Sequence, residues 1–194
     1  MTKRPTKTRI IAEGAKIIQK NGFNNTGILD VLKAADVPKG SFYFYFKSKE
    51  DFGLEVINYL AESLRRTWTQ SSESPADSPL DSLKRKFHDA AVYFQNAGCT
   101  GGCPIGNLAQ EMGDLNDAFR KRLEEIFCEM KNMIAQCLRE SQEMDEINRS
   151  LDTNELADFI LNSWEGALLR MKTEKSVAPL LIFNNTIFGT LLKR

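Results

Sequence analysis

Lys39, Tyr43, Tyr45 and Lys49 lie in one short stretch, KGSFYFYFKSK. Each ends in a hydrogen-bond donor on a semi-rigid or charged arm, the chemistry that grips phosphate oxygens. Lys39 can also donate to guanine O6 and N7, Ser41 is permissive, and Tyr43 can pack on a thymine methyl. Thr26, at the start of the preceding helical segment, adds a hydroxyl beside that helix's positive end. No Arg, Asn or Gln lies between Thr26 and Phe46, so bidentate base contacts are missing from this stretch and readout of groove shape carries more of the recognition. Arg4, Lys7 and Arg9 can reach a neighbouring groove or backbone. The alternative for the aromatic residues is simple core packing, which suits Phe42 and Phe46 best.

A second candidate is thiol chemistry. Cys103 precedes Pro104, which opens a helical segment, and a helix N-terminus favours thiolate over thiol. Cys99 sits in the same glycine-rich loop, where it can serve as a resolving thiol for a sensor of electrophiles or oxidants. The competing reading is an inert small residue in a pocket wall. Cys128 and Cys137 fall in a helical pattern and read as core. With one histidine, His88, and two cysteines in one loop, no zinc site is expected. The body aromatics place a mostly apolar pocket near Cys103, Asn107 and Trp164, suited to a small hydrophobic ligand. No nucleophile has an evident base and no phosphate-cradling glycine loop follows a strand, so no catalytic residues, metal or cofactor are expected.

The elements that must position these residues are helices. Ile10/Ile11, Gly14 and Ile17/Ile18 recur at helical spacing and stop at Gly22. Asn25 or Thr26 is expected to cap a second helix from about Gly27 to Ala35, with Asp36 taking a left-handed turn position. Pro38 then opens a short third helix to about Tyr45. Ser48-Lys49-Glu50-Asp51 has capping-box spacing and starts a long helix, Phe52 to Trp68, that bridges to the body and frays in SSESPADSP, residues 71–79. Five further helices follow, at about 80–95, 104–111, 115–138, 153–172 and 178–192, their apolar stripes including Phe159/Ile160 and Leu181. No strand is expected. The fold class is all-α with about nine helices, divided into residues 1–50 and 51–194.

Charge distribution agrees with that division. Residues 1–50 hold ten Lys/Arg against four Asp/Glu, a net of +6 that the remainder balances with −6. A basic head is drawn to phosphate while an acidic body is repelled, which orients the chain on nucleic acid. No apolar run is long enough to cross a bilayer, and the N-terminus has no signal-peptide pattern; a cytoplasmic protein with reduced cysteines is expected, with no membrane partner.

Over about Arg9 to Leu54 the chain resembles the TetR family of bacterial transcriptional regulators. Gly22-Phe23, Thr26, Asp30-Val31, Ala35, Val37, Lys39-Gly40-Ser41, Phe42-Tyr43, Tyr45-Phe46 and Ser48-Lys49-Glu50 carry the resemblance. It implies a homodimer with one helix-turn-helix head per subunit, double-stranded operator DNA as partner, and a small-molecule inducer bound in each body. It also implies that the last two helices form the dimer interface, that inducer binding changes the spacing of the heads, and that Tyr43, Tyr45 and Lys49 occupy phosphate-contacting positions. Leu29, Leu32 and Asp36 depart from the usual pattern. The alternative is a protein-interaction co-regulator of the same fold that has lost operator binding.

Overall fold

The computed structural model describes residues 5–70 and 78–193. Among these residues there are nine α-helices and no strand. The described part of the chain up to Arg65 forms one compact unit with Pro104–Ile126; that of Arg66–Cys103 forms a second with Phe127 onward. Arg4 and most of the expected linker at 71–79 fall outside the described residues.

In the first unit, α1 (Thr6–Asn21) buries Ile10, Ile11, Ala15 and Ile18 and ends at Gly22, whose φ of 84° is glycine territory. Helix α2 (Ile28–Ala34) follows, with Val31 and Leu32 buried, and α3 (Phe42–Tyr45) is a single turn entered through a 3₁₀ turn at Lys39–Ser41. Helix α4 (Lys49–Gln70) starts as its capping box dictates: Asp51 N–H donates to Ser48 Oγ at 3.1 Å, and Asp51 Oδ2 accepts from Lys47 N–H at 2.9 Å. Phe42, Phe46 and Phe52 are fully buried together, their rings 5.1–5.6 Å apart. The first turns of α4 also present Gly53 to Phe23 and Phe119, two rings that meet edge-on at 4.9 Å. Helix α6 (Pro104–Met112) and the start of α7 (Asp117–Glu143) complete this unit.

The second unit is built on α5 (Pro79–Asn96), the rest of α7, α8 (Thr153–Glu174) and α9 (Ala178–Thr186), which runs into a π turn at Ile187–Leu191. Ser78 and Asp152 cap α5 and α8 by accepting backbone N–H bonds. Phe87, Trp164, Phe183 and Phe188 form an aromatic cluster in which Phe87 lies 5.0 Å from both Trp164 and Phe183. Three stripe residues of the last two expected helices depart from the expected packing. Phe159, Leu181 and Leu191 are exposed, because these segments carry apolar residues on more than one face and only one of these faces the unit's own core. Cys128 is likewise exposed rather than core, pointing from the solvent side of α7.

Candidate functional site

The head's exposed face is set by how α3 spends its single turn. Phe42 and Phe46 go inward, so the residues between them are driven out: Tyr43 is 70 % and Phe44 83 % exposed, while Tyr45 is half-buried. The turn leading there is tight. Asp36 takes φ 53°, and Val37 N–H reaches back to the Leu32 carbonyl at 3.0 Å, which ends α2 and aims the chain toward Pro38. Lys39 and Gly40 are exposed and Ser41 half-buried on the 3₁₀ turn that enters α3. The structure therefore gathers Lys39, Gly40, Ser41, Tyr43 and Tyr45 on one continuous segment.

Thr26 and Lys49 have other engagements. Thr26 is 2 % exposed and its hydroxyl donates to the Gly22 carbonyl at 2.6 Å, so the side chain closes the α1–α2 turn and has no exposed hydroxyl to offer a phosphate. Neither Thr26 nor Asn25 caps α2; the N-cap is Gly27, without a side-chain bond, and the Asn25 amide instead donates back to Asn21 O. Lys49 Nζ donates to Asn24 O at 3.1 Å and stands 4.8 Å from the Phe23 ring centroid, which places its charge on the same turn. Lys7, considered for an adjacent groove, pairs with Glu55.

Sequence reasoning missed what holds that turn. Glu111, on α6, accepts from Phe23 N–H at 2.8 Å and from Asn24 N–H at 2.7 Å, one oxygen to each. A Cβ on Gly22 would come within 2.8 Å of Glu111 Oε2, so the glycine is needed for this approach as well as for its φ. The acid is 88 positions from its partner, and no local pattern marks it.

In the second unit, the loop after α5 runs through left-handed backbone at Gly98, Cys99, Gly101 and Gly102 (φ 70°, 53°, 82° and 99°) and delivers two buried thiols. Cys103 hydrogen-bonds the Glu165 carboxyl, a partner absent from the sequence reading. Burial pushes the Glu165 carboxyl above the usual carboxylate range, and the bond to Cys103 draws it partly back. Protonated Glu165 thus favours the folded unit, and that stability is lost as pH rises through the raised pKa. Glu165 Oε1 is buried without a partner, as are both amide atoms of Asn184 on α9. Trp164, the neighbour of Glu165, is packed in the aromatic cluster. Asn107 lies on α6, which clusters with the first unit, whereas Cys103, Trp164 and Glu165 lie in the second.

Residues 10–56 match the family described as bacterial regulatory proteins, tetR family, and residues 79–187 match the tetracyclin repressor-like C-terminal domain. The chain belongs to the TetR family of bacterial transcriptional regulators. It is 36 % identical over 192 residues to the HTH-type transcriptional repressor DhaR of Mycobacterium sp. (strain GP1), covering 99 % of this chain and 95 % of that protein. It is 37 % identical to the transcriptional regulator AcuR of Cereibacter sphaeroides, covering 93 % and 82 % respectively. Among solved structures, the regulatory protein TetR from Rhodobacter sphaeroides superposes with a TM-score of 0.85 at 36 % identity over 94 % of this chain and 96 % of that one. The reduced form of E. coli NemR gives 0.88 at 25 % identity over 97 % of each. TetR-family proteins are DNA-binding regulators and not enzymes. Among the described residues no helix is long and apolar enough to cross a membrane.

Proposed function

We propose that this chain is a dimeric repressor that leaves its operator when a small hydrophobic or thiol-reactive inducer binds the second unit. The observation that carries this reading is the exposed segment Lys39–Tyr45, where an ammonium and a phenol project from a head whose aromatic core fixes their direction. Dimerisation is supported by the outer face of α8 and α9. Phe159 and Ile182 are exposed there beside an open groove of about 310 Å³ that Ala167, Pro179 and Ile187 also line. An apolar surface of this kind is what an isologous two-fold interface buries.

Lys39→Ala is expected to weaken binding to DNA from the chain's own upstream region and to lower the log–log salt slope by about 1; Tyr43→Ala is expected to weaken binding with the slope kept, since a phenol displaces no counterion. Gel shifts at several salt concentrations measure both. Unchanged affinity in the two variants, with dimers intact, would remove Lys39 and Tyr43 from the DNA interface; a parent that shifts no duplex would favour the interaction-protein alternative.

For the inducer, the unpaired Glu165 Oε1 and Asn184 amide are polar groups that a ligand can satisfy, and the aromatic cluster supplies apolar surface. The thiol-reactive class is favoured by the contact between Cys103 and Glu165, which gives the thiol proton an acceptor, and by a relative whose solved form is specified as reduced. N-ethylmaleimide is expected to release the protein from DNA through Cys103. If treatment leaves binding intact, or Cys103→Ser responds like the parent, the thiol reading fails and a non-covalent inducer stands.

A further inference from the structure

The head exposes apolar groups where a nucleic-acid-binding surface would ordinarily carry polar ones. Phe44 is 83 % exposed, more than any other large apolar residue among those described, and Leu29 on α2 is 56 % exposed. Neither is a leftover of poor packing. Phe42 and Phe46 are buried on the inner side, their rings 5.1 Å apart, and the ring between them is on the outer side. The Phe44 ring is braced by Tyr45, 4.9 Å away at an interplanar angle of 86°, and Tyr43 stands against Phe42 in the same edge-on manner at 5.3 Å. The two outward rings are held in place and do not fold back onto the head.

The surroundings select the occupant. Lys33, Lys39 and Lys47 are all exposed on the same short span of chain as the two apolar residues. Exposed apolar side chains interspersed along the chain with ammonium groups suit a polyanion that carries apolar groups of its own. On the edges of DNA bases in the major groove the one such group is the 5-methyl of thymine. The span from Gly27 to Phe46 contains no Arg, Asn or Gln, so the bidentate contacts of those side chains are not available to compete, leaving Lys39 as the candidate for guanine.

We propose that Phe44, with Leu29 assisting, is the specificity-determining residue of this head and reads thymine methyls in the operator. The inference rests on the operator-binding reading above and deepens it by naming the base class. Lysines and tyrosines grip the phosphates; the phenyl ring discriminates. Thymine steps that meet Phe44 bind better than cytosine at the same place because cytosine offers no methyl, and they bind better than uracil for the same reason.

Uracil substitution isolates that one group. Duplexes covering the footprint on the chain's own upstream DNA are made with thymine, or with uracil at single positions and their symmetry mates, and titrated with full-length dimer by fluorescence anisotropy. At the contacted position the parent is expected to lose about fourfold per methyl, or about fifteenfold when both half-sites lose one. Phe44→Ala is expected to bind thymine and uracil duplexes equally, near the parent's affinity for uracil, with an unchanged salt slope. Leu29→Ala is expected to erase discrimination at a different thymine. Since both side chains are exposed, circular dichroism should show both variants folded. Equal affinity of the parent for thymine and uracil at every position overturns the proposal while leaving operator binding intact. So does a Phe44→Ala protein that keeps the parent's ratio, or one that changes only its sedimentation, which would assign the patch to a protein contact. A parent that binds no duplex overturns the operator reading itself, and this proposal with it.

Discussion

Phe52→Ala is expected to destabilise the helix-turn-helix unit by about 3–5 kcal/mol, the range for deleting a fully buried phenyl ring. Phe52 is 1 % exposed and lies within 5.6 Å of the Phe42 ring and 5.2 Å of the Phe46 ring. Its far edge faces Gly14 of α1, where any Cβ would collide with Cζ. The ring therefore joins three helices, and no neighbour can slide into the space it leaves. Helix α3 suffers most, because a one-turn helix of four residues has no stability of its own and exists by anchoring Phe42 and Phe46. A loss of this size is a large part of the roughly 5–15 kcal/mol typical of a whole domain. Operator affinity should fall although no exposed residue has been touched. Hydrogen exchange of α1–α4 amides in the full-length protein measures the effect, with Phe52→Leu expected to lie between parent and alanine. If the alanine variant exchanges like the parent, the aromatic core is not what positions the head's exposed face.

The same residues show what was legible in the sequence and what was not. Capping at Ser48–Asp51, the left-handed Asp36 and the helical repeats are local, and a local pattern states them; the structure has them as expected. In the segment FYFYF the expected core rings, Phe42 and Phe46, are the ones the structure buries; what a local pattern does not state is what they pack on, Phe52 and through it Gly14, both outside the segment. Thr26 reads as a cap by type and position, yet the turn needs its hydroxyl for Gly22, so the residue is buried instead of presented. On α8 and α9 the periodicity marked Phe159 and Leu181 correctly as apolar. It does not say whether an apolar face meets its own chain or remains outside, and theirs remains outside. Glu111 and Glu165 lay beyond reach for a further reason. An isolated acid in a helix looks like any solvated acid until the fold brings backbone amides or a thiol to it.

Glu111→Ala is the second large effect. Its carboxylate satisfies two consecutive backbone N–H groups at the α1–α2 turn, and charge-assisted bonds of this kind are the stronger class. Asn24 N–H is exposed and can turn to water, but Phe23 N–H is partly buried beneath a ring that is itself buried. Leaving it unpaired is expected to cost about 1–3 kcal/mol. Lys49 Nζ bonds the Asn24 carbonyl at the same turn, so the turn is held from both sides of that peptide and loses one of the two holds with Glu111. Exchange at the Phe23 and Asn24 amides should accelerate in the alanine variant. Glu111→Gln keeps one acceptor oxygen and loses the charge, so one of the two amides should regain protection. Operator affinity is expected to follow the same order, parent above glutamine above alanine, because the turn sets where α2 begins and hence where α3 stands. Helix α6 starts at Pro104, the residue after Cys103, so these two amides also report whether modifying the thiol disturbs the far end of that helix. Faster exchange at Phe23 and Asn24 in alkylated parent, absent in Cys103→Ser, would tie the thiol to the turn. Unchanged exchange in both Glu111 variants would reduce the carboxylate to a surface contact.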